Sequence, residues 1–216
     1  MQPASKKSAS RYPSAKPPLS DHLRFILSWA SDPLRVAAIV PSSAALAALI
    51  TRDISVHDAP IVEFGPGTGV FTRELIGRGI EAADLTLVEY RGDFVALLRD
   101  RFPGARILHA DAARISATNL FPVRQAGAVV SGLGLLSMPP VTVKAILRNA
   151  FECMRADGDF YQFTYGFRCP VSRSILTELG LQARRIGGTM RNLPPASVYR
   201  ISRPTPFLYP QKSNHP

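Results

Sequence analysis

Apolar positions change their spacing near residue 55 of the chain. Before that point, Leu23, Ile26, Leu27 and Ala30 recur at helical intervals, and Ser20 suits the N-cap of this helix. After it, short runs of consecutive apolar residues alternate with stretches of helical spacing. Consecutive apolar residues are typical of strands that are buried on both faces. The later part of the chain therefore predicts an α/β fold, in which helices cover both faces of a mostly parallel sheet.

The individual elements follow from this pattern. Strands are predicted at Ile61–Phe64, Leu85–Tyr90, Arg106–Ala110, Gly127–Ser131 and Asp159–Tyr165. Helices are predicted at Leu34–Ile39, Ala44–Thr51, Val70–Gly79, Asp93–Arg101 and Val141–Arg155, with Pro41 ending the first of them and Ser42 or Ser43 capping the second. A final antiparallel pair of strands is predicted at Leu181–Gly187 and Ser197–Ser202.

These elements divide the chain into four parts. Residues 1–18 are rich in lysine, arginine, serine and proline, and predict a disordered basic tail. Residues 19–52 form the N-terminal helices, and residues 53–203 form one ligand-binding domain. Residues 204–216 are proline-rich and predict an irregular tail.

The charge of the chain narrows the choice of partners. Lysine and arginine number 26 against 16 acidic residues, which gives a formal net charge of +10, and 46% of the residues are hydrophobic. Such a chain folds into a globular domain rather than a disordered one, and its surface favours polyanions. Nucleic acid and an anionic bilayer both remain open at this point.

Cysteine usage and the lack of a visible secretory signal predict a protein that stays inside the cell. Cys153 and Cys169 lie in no CxxC pair, and no histidine cluster accompanies them, so reduced thiols and no metal site are expected. The apolar stretch Leu23–Ala30 is interrupted by Arg24 and Ser28, and it is too short to span a bilayer. The segment can still lie on a membrane surface.

The strongest chemical signal is a glycine-rich loop between a predicted strand and a predicted helix. Gly65, Gly67 and Gly69 allow the backbone to turn tightly and to approach a ligand closely. Glu63 precedes the loop, and its carboxylate suits a cationic or hydrogen-donating ligand group better than a pyrophosphate. A nicotinamide-binding domain would instead show GxGxxG spacing, without this acid.

Two further acids follow the next strands. Glu89 ends the second predicted strand, about 20 residues beyond the loop, where ribose hydroxyls need an acceptor. Asp111 ends the third strand. Since the carboxyl ends of parallel strands meet at one edge of a sheet, these acids are expected to lie beside the glycine loop.

This pattern resembles the class I S-adenosylmethionine-dependent methyltransferases. The resemblance implies a Rossmann-like fold with S-adenosylmethionine as the cofactor. It also implies that the glycine loop wraps the methionine part, that Glu89 holds the ribose with Tyr90 beside the adenosine, and that Asp111 meets the adenine amine. The residues assigned to the cofactor are Glu63, Gly65, Pro66, Gly67, Thr68, Gly69, Glu89, Tyr90, Asp111, Ala112, Ser131 and Gly132.

Two subfamilies resemble the chain in residues 65–75, GPGTGVFTREL, and residues 85–90, LTLVEY. One is the ribosomal RNA adenine dimethyltransferases, and the other is the rhizobial type of bacterial phospholipid N-methyltransferase. Enzymes resembling the RNA group place Asn or Asp, an apolar residue, proline and an aromatic residue after the fourth strand, so that the aromatic ring stacks on the flipped base. Here residues 131–136 read SGLGLL, which supplies neither asparagine nor a stacking ring.

Three other segments resemble the phospholipid enzymes: residues 38–43, AIVPSS; residues 162–166, QFTYG; and residues 191–196, RNLPPA. The resemblance implies methylation of the amine of phosphatidylethanolamine, and of its mono- and dimethyl derivatives, toward phosphatidylcholine. A ribosomal RNA adenine, or another amine such as that of an ornithine lipid, remains the alternative substrate.

Substrate and membrane contacts complete the interpretation. Tyr165, at the end of the fifth strand, is the candidate catalytic residue, because its hydroxyl can hydrogen-bond the amine and its ring can face a methylated ammonium. A half-buried strand tyrosine without that role is the alternative. Arg168 or Arg191 is expected to bind the lipid phosphate. Anionic lipids are the expected partners, nucleic acid is not, and the protein is expected at the inner face of the cytoplasmic membrane. The segment expected to contact the membrane, if it does not dock on the domain instead, contains Leu23, Arg24, Phe25, Ile26, Leu27 and Trp29.

Overall fold

A computed structural model describes residues 40–116, 125–190 and 195–204, with side chains from residue 44 onward. The helices are α1 (Val40–Ile50), α2 (Val70–Gly77), α3 (Gly92–Arg101), α4 (Pro140–Cys153) and α5 (Arg173–Glu178). The strands are β1 (Ile61–Phe64), β2 (Leu85–Glu89), β3 (Arg106–His109), β4 (Ala126–Ser131), β5 (Met154–Tyr165), β6 (Gln182–Thr189) and β7 (Ala196–Ser202). Short 3₁₀ turns occur at Val56–Asp58, Ala82–Asp84 and Leu135–Ser137.

The seven strands form one sheet in the order β3-β2-β1-β4-β5-β7-β6. Strands β1 to β5 are parallel, whereas β7 is antiparallel to both β5 and β6. The chain adds β2 and β3 on one side of β1 and then crosses to place β4 on the other side. Ligands bind at the carboxyl ends of the strands at such a switch point. The predicted fold class and the C-terminal antiparallel pair are confirmed.

Burial of the central strands explains why their sequences are largely apolar. Every residue of β1, β2 and β4 is buried. One core, around Val129, Leu147 and Phe160, fills the face covered by α4. The other core, around Leu75 and Leu98, fills the face covered by α1, α2 and α3. A rigid sheet packed on both faces fixes the edge on which the candidate site lies.

The beginning of α1 corrects one prediction. Helix α1 spans Val40–Ile50 and contains Pro41, Ser42 and Ser43, so neither serine caps a helix at Ala44, while the helix predicted to end at Pro41 lies outside the described residues. Proline is accepted in the first turn because the N–H that it lacks would have no partner there. The predicted helices before residue 39, the tail 1–18 and residues 205–216 lie outside the described residues, as do Leu23, Arg24, Phe25, Ile26, Leu27 and Trp29.

The largest difference from the predicted boundaries lies at the junction of α4 and β5. Helix α4 ends at Cys153, and β5 begins at once with Met154, which pairs with Ala126. A shift of register between Ala126 and Ala128 lets β5 continue with Asp159, where the strand was expected to begin. Helix α5 was not predicted, although the hydroxyl of Ser172 accepts a hydrogen bond from the N–H of Ile175 and so caps the helix. A serine before a short helical stretch is the signal that could have identified it.

Candidate functional site

The glycine loop joins β1 to α2 and is open to a ligand at its centre. Gly67 has a positive φ of 54°, and a Cβ built there would have no atom within 4 Å. A side chain at Gly65 would instead lie 2.6 Å from Cδ2 of Leu133. The loop is thus packed against the end of β4 at its beginning, while its middle presents bare backbone. Such backbone can approach a ligand more closely than any side chain would allow.

Glu89 connects this loop to the end of β2. One of its carboxylate oxygens accepts a hydrogen bond from the N–H of Gly67 at 3.1 Å, and the other accepts from the N–H of Arg91 at 2.9 Å. The side chain is buried, and Tyr90 directly after it is exposed. Each carboxylate oxygen can accept a second bond, so Glu89 retains acceptor capacity toward a ligand hydroxyl.

Glu63 lies beneath the loop and is fully buried. Its Oε2 accepts a hydrogen bond of 2.6 Å from the hydroxyl of Thr72, whereas its Oε1 has no hydrogen-bond partner among the described residues. Burial raises the pKa of Glu63 from 4.5 to about 8, the bond from Thr72 opposes this shift, and the charge of Glu89 adds to it. Burial of a polar atom without a partner costs free energy, and a cationic ligand group at the free oxygen would favour the ionised carboxylate and donate a hydrogen bond to it.

Asp111 follows β3 at the same edge of the sheet. Its Oδ1 accepts the N–H of Ala113 at 2.9 Å, and its carboxylate is partly exposed. Ala112 beside it is buried. Neighbouring strands lie about 4.8 Å apart, so the segments after β1, β2 and β3 can contact one extended ligand.

The end of β4 closes the other side of the loop. Ser131 is buried and pairs with Phe64, and the N–H of Gly132 donates to the carbonyl of Phe64 at 2.8 Å. A Cβ at Gly132 would meet the carbonyl oxygen of Gly65 at a distance that real contacts do not reach. Glycine at 132 therefore lets the two segments touch backbone to backbone.

Gln162 was noted from the sequence only as part of the segment QFTYG and was given no role, yet it holds the loop after β4. Its buried Nε2 donates to the carbonyls of Leu133 at 2.9 Å and Phe163 at 2.7 Å. Because both partners are acceptors, the amide nitrogen rather than the oxygen must face them. A polar residue among the apolar positions of a buried strand was the available signal.

Tyr165 ends β5 in a row of aromatic rings. It packs edge-on against Phe163 with ring centroids 5.5 Å apart, and Phe163 packs edge-on against Phe71 at 6.0 Å. Burial raises the pKa of Tyr165 above its usual value. The hydroxyl is therefore protonated at neutral pH, and it can donate or accept a hydrogen bond but cannot act as a phenolate base.

Two arginines, one after β5 and one in β6, lie on the substrate side of the site. Arg168 is exposed in the segment after β5. Arg185, which the sequence did not single out, donates from Nε to the hydroxyl of Ser197 at 3.2 Å and places its guanidinium 5.9 Å from the centre of the Phe167 ring. The proposed phosphate ligand Arg191 lies outside the described residues.

Two kinds of named relatives share sequence with the chain, and no family model matches it. An ornithine lipid N-methyltransferase of Singulisphaera acidiphila is 27% identical over 188 residues, which cover 84% of this chain and 95% of that protein. A ribosomal RNA small subunit methyltransferase A of Porphyromonas gingivalis is 36% identical over 80 residues, but these cover only 36% of this chain and 30% of that protein.

Solved methyltransferases superpose on most of the chain. The glycopeptide N-methyltransferase MtfA in complex with S-adenosylmethionine matches with a TM-score of 0.58 at 12% identity, covering 75% of this chain and 94% of that one. The DhpI–SAM–HEP complex matches with a TM-score of 0.59 at 18% identity, covering 85% of this chain and 96% of that one. The chain has the class I methyltransferase fold. The bound ligands of these structures support the predicted cofactor, S-adenosylmethionine.

The methyltransferase fold brings the predicted cofactor residues to one edge of its sheet. The open backbone at Gly67, the free buried oxygen of Glu63 and the carboxylate of Glu89 fit a ligand that carries an ammonium group and ribose hydroxyls. The individual contacts to the cofactor stay predictions. Among the described residues, no helix is long and apolar enough to cross a membrane.

Proposed function

We propose that the chain is an S-adenosylmethionine-dependent N-methyltransferase that acts on the amine headgroup of a membrane lipid. Phosphatidylethanolamine and its mono- and dimethyl derivatives are the proposed substrates, and phosphatidylcholine is the final product. The observation that carries this proposal is the structure of the chain after β4, where an acceptor amine would face the methyl group.

The end of β4 supports a small aliphatic amine rather than a base as the acceptor. Gly132 and Gly134 provide no side chain, and Gly132 is pressed against the carbonyl of Gly65, so a ring at position 132 has no room. The side chains nearby are Leu133 and the buried Leu135. An enzyme that methylates a flipped adenine needs an aromatic ring to stack on it, and residues 131–136 supply none.

The relatives support the same substrate class. The match to the ornithine lipid N-methyltransferase runs through 84% of the chain, whereas the match to the ribosomal RNA enzyme is confined to 36% of it. An ornithine lipid and phosphatidylethanolamine both offer a primary amine near an anionic group at a membrane surface. The amine of an ornithine lipid is therefore the second candidate substrate, and the long alignment is the observation that favours it.

In the proposed mechanism, one set of residues binds the cofactor and Tyr165 orients the amine. Glu63, the loop 65–69, Glu89 and Asp111 hold the cofactor, which supplies an electrophilic methyl group when bound. A lipid amine resembles that of lysine, with a pKa of about 10.4, so it must lose a proton, which we assign to solvent water, before it can attack. Tyr165 orients the amine through its hydroxyl, because a hydroxyl kept protonated can bond the amine without taking its proton.

Methylation leaves a cation at the same place. The ring of Tyr165, which packs perpendicular to that of Phe163, is proposed to face the methylated ammonium, and such a contact stabilises the cation by about 1 kcal/mol. Arg168 and Arg191 are proposed to bind the lipid phosphate. Residues 23–29 are proposed to bind the inner face of the cytoplasmic membrane, together with the basic tail.

Methyl transfer from labelled S-adenosylmethionine tests the proposal. Separate reactions contain vesicles of phosphatidylethanolamine and phosphatidylglycerol, vesicles of ornithine lipid and phosphatidylglycerol, and ribosomal RNA. Label in methylated phosphatidylethanolamine is the expected result. Label in ornithine lipid alone reassigns the substrate, and label in RNA alone refutes a lipid substrate.

A further inference from the structure

Exposed apolar side chains are concentrated at one edge of the molecule. Among the described residues, six large apolar side chains are between 50% and 77% exposed: Val56, Tyr90, Leu136, Val141, Phe167 and Met190. Single exposed apolar residues are normal on a soluble protein, and their placement is what carries information.

The topology assigns five of the six to the edge that carries the candidate site. Tyr90 follows β2, and Leu136 and Val141 lie where the chain leaves β4 and enters α4. Phe167 follows β5 directly. Met190 follows β6, which runs parallel to β5 because β7 is antiparallel to both. Val56, in the turn before β1, is the one that lies at the opposite edge.

Four of these residues border the substrate side of the site. Tyr90 stands beside the predicted adenosine position and is left out of the set. The other four, Leu136, Val141, Phe167 and Met190, surround the ends of β4, β5 and β6, and are called the apolar rim below. Burial of an exposed apolar side chain is favourable in proportion to the apolar area removed from water, so the rim favours contact with an apolar phase.

Positive charge accompanies the rim. Arg168 follows Phe167 and is exposed. The guanidinium of Arg185 lies over the Phe167 ring and donates to the hydroxyl of Ser197. Apolar side chains beside arginines match the boundary between acyl chains and anionic headgroups. The formal net charge of +10 adds attraction to such a surface over a longer range.

We propose that the apolar rim docks on the surface of an anionic bilayer, so that a lipid headgroup enters the site without leaving the membrane. This inference rests on the proposed lipid substrate, and it adds a second membrane contact to the one proposed for residues 23–29. The rim places the mouth of the site against the bilayer, whereas an N-terminal anchor alone would leave the orientation of the domain free.

Vesicle binding of the full chain tests this inference without requiring methyl transfer. The rim variant carries Phe167→Ser and Met190→Ser, and the control is Val56→Ser, an exposed apolar residue at the opposite edge. Co-sedimentation uses vesicles of phosphatidylethanolamine and phosphatidylglycerol. The rim variant is expected to bind about tenfold more weakly than the wild type, and the control as the wild type does. Both should keep the wild-type Tm, since the altered side chains are exposed.

A second readout separates docking from a role in the site. With a short-chain phosphatidylethanolamine kept monomeric in solution, the rim variant should retain wild-type kcat/KM, and with vesicles it should lose about tenfold. Equal vesicle binding by the rim variant and the wild type overturns the inference. It is also overturned by equal losses on both substrates, or by a change in self-association with vesicle binding unaltered. If the wild type binds vesicles through the rim but methylates neither phosphatidylethanolamine nor an ornithine lipid, the proposed function fails and the docking surface stands.

Discussion

The hydroxyl of Thr72 donates a hydrogen bond of 2.6 Å to the carboxyl group of Glu63, in a fully buried position beneath the glycine loop. This contact joins β1 to α2, the two elements between which the loop is held. The second oxygen of Glu63 has no partner among the described residues. The carboxyl group of Glu63 thus connects the two elements that flank the loop, and its second oxygen remains available to a ligand.

Glu63 should make the stability of the protein depend on pH. Its pKa is about 8 in the folded state and 4.5 ordinarily, so the folded state holds the proton more tightly. The corresponding stabilisation is fully present below pH 4.5 and is lost as the pH rises through 8. The free energy of unfolding of the wild type should therefore fall between pH 5 and pH 8, relative to Glu63→Gln, by up to about 1.4 kcal/mol per pH unit. Urea unfolding at several pH values measures this difference. Parallel profiles for the two proteins would show that Glu63 is ionised in the fold.

Replacing Glu89 by glutamine should weaken cofactor binding. The amide has one acceptor oxygen and an NH₂ group, so it cannot accept from both Gly67 and Arg91 as the carboxylate does. The Kd for S-adenosylhomocysteine, measured by calorimetry, is expected to rise about tenfold or more. Glu81→Gln, at an exposed position before β2, is the matched control. Unchanged affinity in Glu89→Gln would remove Glu89 from the cofactor site.

A methyl group at position 132 should separate the end of β4 from the glycine loop. In Gly132→Ala the new Cβ collides with the backbone carbonyl of Gly65, which no side-chain rotation can relieve. We expect a lower Tm and a smaller rise of Tm on addition of S-adenosylhomocysteine, because a ligand of the native state at concentration L stabilises it by RT ln(1 + L/Kd), which falls as Kd rises. In the control Gly77→Ala the Cβ meets no atom within 4 Å, and alanine should stabilise α2 by about 0.5–1 kcal/mol. A Gly132→Ala protein that responds to the ligand like the wild type would contradict the close approach.

Removal of the Tyr165 hydroxyl should slow the chemistry. Tyr165→Phe keeps the ring that packs perpendicular to Phe163. The first methylation should be slowed about tenfold, since the amine loses one orienting hydrogen bond, while the affinity for S-adenosylhomocysteine should be unchanged. Single-turnover rates with phosphatidylethanolamine vesicles provide the measurement. A wild-type rate would leave the ring, and not the hydroxyl, as the functional part of Tyr165.

The sheet and the cofactor side of the site could be predicted because local sequence determines them. Ile61–Phe64 was predicted with the bounds that β1 has, since a short, largely apolar run between proline and glycine favours a buried strand. The positions of Glu89 and Asp111 followed from the rule that parallel strands end at one edge.

The remaining features depend on contacts between distant parts of the chain. The early start of β5 arises from the pairing of Met154 with Ala126, and no periodicity within residues 154–158 predicts a strand there. Gln162 gains its role only because the carbonyl of Leu133, in another segment, approaches its amide. Arg185, in β6, is likewise singled out only because its guanidinium lies over the ring of Phe167, which follows β5.

A competition reaction tests the central claim most directly. Wild-type protein and labelled S-adenosylmethionine are incubated in one tube with ribosomal RNA and with vesicles that contain phosphatidylethanolamine, ornithine lipid and phosphatidylglycerol. The account predicts that the label is recovered in mono-, di- and trimethylated phosphatidylethanolamine, and that Glu89→Gln protein transfers far less. Label recovered in RNA, with none in either amine lipid, would contradict it.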